Sequence, residues 1–307
     1  MPLVWSWFVT ENSFINYDCL DRLAQLAIHT GVALEPGQNL LITAPTESLP
    51  LVRRVTKHAY KAGAGLVTPL LTDPELTLAR FQYAPDAAFD SAANWLYNGM
   101  GEAFDDNTAR MAITGDDPML LADQDPAKVA RANKANSIAY KPARERITQF
   151  TINWNIISWP GRAWAQRMFP NLSGEIAQGK LADAIFAASR ADQADPVTAW
   201  AAHNTELRIK SDWLNGQNFH ALHFIGPGTD LSVGLAEGHA WMGGAAKAKN
   251  GITCNPNIPT EDVFTTPHAL RVDGHVRSTK PLSHQGTLIE DISVRFKAGQ
   301  IVEASAS

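Results

Sequence analysis

The chain has 307 residues, of which 45% are apolar and 19% charged, and its 26 basic residues against 31 acidic ones give a formal net charge of −5. A negative balance argues against the cationic surface that binds nucleic acids or anionic membranes, so we expect neither partner. No run of about 18 apolar residues occurs, which excludes a membrane-spanning helix. Cys19 and Cys254 lie far apart and form no CxxC pair. This cysteine usage predicts neither a disulfide framework nor a cysteine zinc site, and it is typical of the reducing cytoplasm.

The first elements along the chain alternate between helix and strand. Apolar residues with helical spacing follow Asp18, which we predict to cap a helix that ends at Gly31. Residues 39–44 form a short apolar run typical of a strand covered on both faces, residues 48–61 have a helical period, and residues 65–71 predict a second buried strand. Strand, helix and strand within about thirty residues predict a βαβ unit with a parallel strand pair.

Later segments extend this pattern. Residues 109–114 and 152–158 are predicted to be further strands of the same sheet, and residues 126–136 and 173–190 are predicted to be helices. The sequence therefore predicts an α/β fold, in which an N-terminal domain with a largely parallel sheet and flanking helices comes first.

The character of the sequence changes after a predicted long helix over residues 196–214. Residues 219–225 and 231–235 alternate apolar and polar side chains on either side of a glycine-rich turn at 226–230. This arrangement predicts a β-hairpin. Because the glycines stand between two strands and not before a helix, we interpret them as a turn and not as a phosphate-binding loop.

The period of two continues to the end of the chain. Residues 272–280 and 287–296 are predicted strands, so we place a boundary near residue 215, with an α/β domain at 1–214 and a strand-rich segment at 215–307. Residues 297–304 predict a turn and a new strand close to Ser307. Because such a strand would lack its next partner, we expect the chain to be a truncated piece of a longer protein.

One segment combines paired carboxylates with stiff flanking residues. Glu261 and Asp262 lie between Pro259 and Pro267, and a stiff segment can hold carboxylate ligands at the roughly 2.0–2.2 Å that a zinc ion requires. The same segment also fits a solvated turn in which Thr260 or Glu261 caps another element. The residue pattern by itself leaves both interpretations open.

Three histidines follow this acidic turn. His268, His275 and His284 are separated by seven and nine residues, and these spacings match no standard metal site. We therefore expect each to be an exposed or hydrogen-bonded histidine. No GxSxG elbow and no HExxH motif occurs.

Several motifs, in chain order, resemble those of one enzyme family. They are Gly-Gln at 37–38, Ala-Tyr-Lys-Ala-Gly-Ala at 59–64, the Trp-Pro to Phe-Pro stretch at 159–170, Gly-Pro-Gly-Thr-Asp-Leu at 226–231, Asn-Ile-Pro-Thr-Glu-Asp-Val-Phe-Thr-Thr-Pro-His at 257–268, and Gly-His-Val-Arg-Ser-Thr-Lys-Pro-Leu at 274–282 followed by Gly286. This set covers most of the chain and resembles the M29 metallo-aminopeptidases, the family of aminopeptidases T and S.

The resemblance implies a cytoplasmic, dimeric exopeptidase that releases N-terminal amino acids from peptides. It also implies two divalent ions, which are zinc, cobalt or manganese depending on the member. One metal ligand of the family lies in the acidic motif, which reads Thr260-Glu261-Asp262 here where many members have two glutamates. Both carboxylates are therefore candidate ligands. We favour Glu261, because glutamate is the residue type that the family uses.

The resemblance further implies that part of the site is missing from this chain. Family members continue past this point, and a second glutamate, two histidines, an aspartate and a catalytic tyrosine lie in that continuation. The catalytic residues are therefore expected beyond Ser307, and residues 215–307 are expected to be the truncated start of the catalytic domain. We expect an inactive fragment of a metallo-aminopeptidase. The alternative is a non-catalytic module of the same family that binds peptides or small ligands.

Overall fold

A computed structural model describes residues 14–284 and 287–307, without the side chains of Ser283, His284 and Thr287. The α-helices in this part of the chain are α1 (Tyr17–Leu26), α2 (Leu49–Lys61), α3 (Pro74–Tyr83), α4 (Asn94–Asp105), α5 (Pro126–Ala139), α6 (Lys141–Thr148), α7 (Arg162–Met168), α8 (Gly174–Ala188) and α9 (Pro196–Gln217). None of these helices combines the length and the apolar character that crossing a membrane requires.

The strands of the described residues divide into two groups. The first four are β1 (Leu40–Pro45), β2 (Val67–Thr72), β3 (Ala109–Thr114) and β4 (Trp154–Ser158). The remaining strands are β5 (Ala221–Gly226), β6 (Thr229–Leu235), β7 (Met242–Gly243), β8 (Ala246–Lys247), β9 (Thr253–Cys254), β10 (Val263–Phe264), β11 (Pro267–Arg277), β12 (Leu282–His284), β13 (Thr287–Ile289), β14 (Ser293–Lys297) and β15 (Gln300–Ser305). Gly286 of the sequence motif lies outside the described residues.

The first four strands form a parallel sheet in the order β2-β1-β3-β4. β1 pairs with β2 in a register that runs from Leu40 opposite Val67 to Pro45 opposite Thr72. The helix α2 connects these two strands, as the βαβ pattern predicts. The predicted α/β fold with a parallel sheet and flanking helices is therefore confirmed.

Helices cover both faces of this sheet. Leu20 of α1 and Phe186 of α8 are fully or almost fully buried in the main core, together with Ile42 of β1. Leu41 belongs to a smaller cluster on the other face, with Phe104 of α4. Successive side chains of a strand point to opposite faces, so the apolar pair at 41 and 42 supplies both layers.

The strand β2 differs from the prediction that residues 65–71 are buried. It lies at the edge of the sheet, where most of its side chains are exposed or half-buried. Leu71 is 42% exposed, and Leu66 just before the strand is 60% exposed. Apolar composition predicted burial, but an edge strand has a neighbour on one side only. Pro69 lacks a backbone N–H, which removes one donor that a further strand would need.

The first helix also begins differently from the prediction. Asn16 caps α1 in place of Asp18, because Asn16 Oδ1 accepts hydrogen bonds from the backbone N–H of Asp18 (3.0 Å) and of Cys19 (3.2 Å). The α-helix ends at Leu26 and continues as one π-helical turn, Ala27–Gly31. The helical stretch therefore does end at the predicted glycine, but with a wider last turn.

An antiparallel sheet follows α9 in the order β15-β14-β11-β6-β5. β5 and β6 form the predicted hairpin, which pairs from Ala221 opposite Gly234 to Gly226 opposite Thr229. The strand predicted over residues 287–296 is divided into β13 and β14, and the predicted final strand is β15, antiparallel to β14. No residue of β5 or β15 is buried.

Residues 255–258 attach this second part of the chain to the parallel sheet. Ile156 of β4 donates its backbone N–H to the carbonyl oxygen of Pro256 (2.8 Å), and Ile258 donates its N–H back to the carbonyl oxygen of Ile156 (3.0 Å). Ile258 is 2% exposed and belongs to the main core. The residues on either side of position 215 therefore share one core, and the boundary at 214/215 stays a prediction.

Both cysteines are free and buried. Burial raises the pKa of the Cys254 thiol to about 11, because a low-polarity interior disfavours the thiolate. We expect the native chain to show no reaction with a thiol reagent at about pH 8. In guanidinium, which unfolds the chain, both cysteines should react with the reagent.

The same shift predicts a loss of stability in alkali. The folded pKa of Cys254 lies above its ordinary value of 9.0, so burial of the neutral thiol contributes stability below pH 9, and this contribution is lost as the pH rises from 9 towards 11. Urea midpoints measured across this range should fall less in Cys254→Ala than in the unchanged chain. Fast labelling of native Cys254 at neutral pH would contradict the prediction.

Candidate active site

The acidic motif lies between the parallel sheet and the short strand β10. Thr260, Glu261 and Asp262 directly precede β10, which pairs antiparallel with β7. Both carboxylates are exposed to solvent. The motif therefore stands at the surface, on a segment whose preceding residues are anchored in the core.

Buried amides hold the segment that leads into the motif. Asn155 of β4 donates from Nδ2 to the carbonyl oxygen of Asn255 (2.7 Å). The side chains of Asn255 and Asn204 of α9 exchange two hydrogen bonds, of 2.8 and 2.9 Å. Asn155 and Asn255 are 0% and 1% exposed. These buried hydrogen bonds are expected to fix the chain closely, since breaking one would leave a further buried polar group unpaired beside Asn155 Oδ1, which has no partner among the described residues.

Glu261 is contacted by two side chains, one that follows α8 and one on α9. Arg190 Nη1 donates a hydrogen bond to Glu261 Oε1 (2.9 Å), and His203 Nε2 lies 3.6 Å from Glu261 Oε2. The hydrogen bond from Arg190 holds the pKa of the Glu261 carboxyl below its ordinary value. Nearby positive charges also lower this pKa, whereas partial burial raises it. Glu261 is therefore an ionised carboxylate with a committed cationic partner.

Asp262 has a different environment. Its Oδ1 accepts a hydrogen bond from the hydroxyl of Thr260 (2.9 Å). Within the part of the chain that the structure describes, no arginine, lysine or histidine forms an ion pair with Asp262, in contrast to Glu261. Among the described residues, Asp262 is thus the carboxylate of the two that has no cationic partner.

A cleft of 260 Å³ opens beside the motif. Thr260 and Phe264 contribute to its wall, along with Phe150, Trp154 and Met242. Alternate residues of an extended segment point to the same side, and Asp262 lies midway between two residues that face the cleft. Its hydrogen bond to the Thr260 hydroxyl agrees with this direction. This alternation leads us to expect the Asp262 side chain on the side of the cleft, although Asp262 itself does not line it, whereas Glu261 contacts Arg190 and His203.

The three histidines after the motif do not join it. His268 is half-buried at the start of β11, where its Nδ1 accepts a hydrogen bond from the backbone N–H of Leu270 (3.1 Å). His275 lies further along the same strand, opposite Arg295 of β14. The side chain of His284 lies outside the described residues. Among the described residues, no three His, Cys, Asp or Glu side chains are grouped so that they could hold a metal ion.

Sequence reasoning missed Arg190 and His203. Arg190 stands at the end of a predicted helix and His203 in the middle of another, and neither belongs to a recognisable motif. They are 71 and 57 residues from their partners in the acidic motif. Only their spatial proximity to Glu261 identifies them.

Comparison with known proteins decides the family. A family model described as thermophilic metalloprotease (M29) matches residues 17–307. The chain belongs to the M29 metalloprotease family. It is 51% identical to aminopeptidase T of Thermus thermophilus and 42% identical to aminopeptidase 2 of Geobacillus stearothermophilus, in each case over 94% of this chain and 70% of the relative.

A solved structure extends this similarity to the M29 fold. The wild-type AmpT from Thermus thermophilus superposes with a TM-score of 0.89 at 49% sequence identity, and the match covers 94% of this chain and 71% of that one. The metalloprotease family implies a metal. Within the acidic motif only Asp262 lacks a cationic partner, and the described residues contain no group of three ligands, so they do not fit a complete metal centre by themselves.

Proposed function

We propose that the chain is part of a metallo-aminopeptidase, which releases N-terminal amino acids from peptides by hydrolysis at a centre of two divalent ions. The named relatives support the activity, since aminopeptidases T of Thermus thermophilus and Thermus aquaticus are 51% and 48% identical to this chain. Zinc, cobalt and manganese all suit a site of carboxylates and imidazoles. The cation is therefore proposed only as one of these three.

We propose Asp262 as the residue of this chain that binds the metal centre, in preference to Glu261. The observation that carries this choice is the hydrogen bond between Arg190 and Glu261 at 2.9 Å. A metal ion bound by Glu261 would have to displace or approach a guanidinium, and like charges repel. Asp262 carries no such partner among the described residues, and the alternation of the segment leads us to expect its side chain on the side of the cleft.

The remaining ligands of the centre are proposed to lie beyond the described residues. A catalytic zinc site takes three protein ligands, and the described residues contain no such group. The proposed activity therefore belongs to a longer protein, in which this chain supplies one ligand and the adjoining cleft. We further propose that the enzyme is a cytoplasmic homodimer, and the free buried cysteines agree with a reducing compartment.

We expect the 307-residue chain alone to show no metal-dependent turnover of aminoacyl-p-nitroanilides with zinc, cobalt or manganese. A chimera should restore the activity, if residues 17–307 replace the part of Thermus thermophilus aminopeptidase T that matches them. Unmodified aminopeptidase T, assayed in parallel, is the control. Turnover by the 307-residue chain that a chelator abolishes would show that its ligands have been misplaced.

The runner-up function is a non-catalytic module that binds peptides or small ligands. The missing three-ligand group among the described residues favours it. The chimera separates the two functions, because a module that has lost its metal site gives a folded chimera without turnover. A folded but inactive chimera would therefore replace the enzyme proposal with the binding module.

A further inference from the structure

Arg190 occupies a backbone conformation that arginine seldom adopts. It follows the end of α8 with a φ of +59°, in the left-handed region where a glycine or asparagine usually ends a helix. Its side chain is 20% exposed, and the guanidinium lies over the ring of Trp200, 5.3 Å from the centroid. A largely buried charge requires partners of its own.

The guanidinium has these partners in the acidic motif and on α9. Nη1 donates to Glu261 Oε1 (2.9 Å), and Nη2 lies 3.0 Å from Nδ1 of His203. Because a guanidinium can only donate, Nδ1 of His203 is an acceptor, and the neutral ring carries its proton on Nε2. Nε2 then donates to the carbonyl oxygen of Thr260 at 2.7 Å. Two neighbouring residues of the motif are thus held by one arginine and one histidine.

Contacts within and between α8 and α9 stabilise the positions of Arg190 and His203. Trp200 and His203 are three residues apart on α9, and their rings meet edge to face with centroids 5.2 Å apart. Trp200 is fully buried and donates from Nε1 to the carbonyl oxygen of Ser189 (2.7 Å). Since Ser189 directly precedes Arg190, the contacts form a closed ring through α8, α9 and the motif.

We propose that Arg190 and His203 are positioning residues. Together with Glu261 they form a clamp that fixes the backbone of residues 260–262, and through it the direction of the Asp262 carboxylate. The inference rests on the proposed role of Asp262 as a metal ligand. The clamp also accounts for Arg190 in a conformation that favours glycine, because glycine would supply the turn without the contact to Glu261.

Hydrogen exchange of the 307-residue chain tests the clamp without any assay of activity. Arg190→Gln and Glu261→Gln should each raise the exchange rates measured over residues 259–264, where Thr260 is the first residue with an amide proton, by about 10-fold or more, with the exchange of β1–β4 unchanged. Glu261 is 62% exposed, so Glu261→Gln keeps the fold even where Arg190→Gln does not. Unchanged exchange at 259–264 in Glu261→Gln would overturn the clamp.

Arg131→Gln is the matched control. Arg131 pairs with Asp86 and Asp90 at 2.9 and 2.6 Å, so this variant removes an arginine–carboxylate contact of the same chemistry from α5. It should leave the exchange of residues 259–264 unchanged. An equal increase in Arg131→Gln would show that the motif responds to any lost ion pair and would overturn the proposal.

The chimera with aminopeptidase T tests whether the clamp positions Asp262. Arg190→Gln and Glu261→Gln should each lower kcat by about 10–100-fold, with a smaller change in KM. The double variant should be no worse than the more severe single one, because both changes break the same contact. Losses that multiply would overturn the clamp. Turnover retained by Asp262→Asn would overturn the ligand assignment alone.

Discussion

Asp262→Asn is expected to abolish the turnover of the chimera between this chain and aminopeptidase T. The amide keeps the shape of the side chain but removes the charge that holds a cation. Loss of residues that only support a ligand costs about 10–100-fold, so the loss of the ligand itself should exceed about 100-fold. Steady-state kinetics measures the loss. Metal analysis should find fewer ions bound per chain, and circular dichroism should find an unchanged fold.

Glu261→Gln is the companion variant in the same chimera. It changes a neighbouring carboxylate by the same chemistry, yet we expect the smaller loss that follows from a weakened clamp and not from a lost ligand. The ratio of the two effects therefore separates the two carboxylates. If Glu261→Gln abolishes turnover and Asp262→Asn does not, Glu261 is the ligand and the assignment is reversed.

Gly161→Ala is expected to cause a large loss of stability. A Cβ at Gly161 would overlap the carbonyl oxygen of Gly115, where the ends of β3 and β4 meet. No rotamer relieves this overlap, because the carbonyl belongs to the backbone, so the strand ends would have to separate. We expect a loss of about 3 kcal/mol or more in the free energy of unfolding. The urea midpoint of the 307-residue chain measures it.

Gly99→Ala is the control for this prediction. Gly99 lies inside α4, and no heavy atom lies within 4 Å of the position that its Cβ would take. Because alanine favours a helix over glycine, this change should stabilise the chain by up to about 1 kcal/mol. Equal midpoints for Gly161→Ala and the unchanged chain would contradict the close approach of the two strand ends.

Elements whose signal is local could be predicted from the amino-acid sequence. β3 coincides with the predicted strand at 109–114, and α9 begins where the predicted helix at 196 begins. The βαβ unit follows from apolar periods and turn residues within about thirty positions, so its parallel pairing could be predicted. The acidic motif could be found in the same way, because its residues are contiguous. The family resemblance favoured Glu261, but the residue pattern by itself did not separate it from Asp262, since the two have the same charge at adjacent positions.

Which strand surfaces are covered and which distant side chains are in contact could be seen only in the tertiary structure. β2 is as apolar as a buried strand, but its place at the edge of the sheet leaves Leu71 exposed. Glu261 is engaged because the chain brings Arg190 to it from 71 residues away. Periodicity depends only on residues close together in the sequence. The contacts of Glu261 depend instead on how α8 and α9 pack against the segment after β9. The proposed choice of Asp262 over Glu261 therefore rests on packing, and no local pattern contains it.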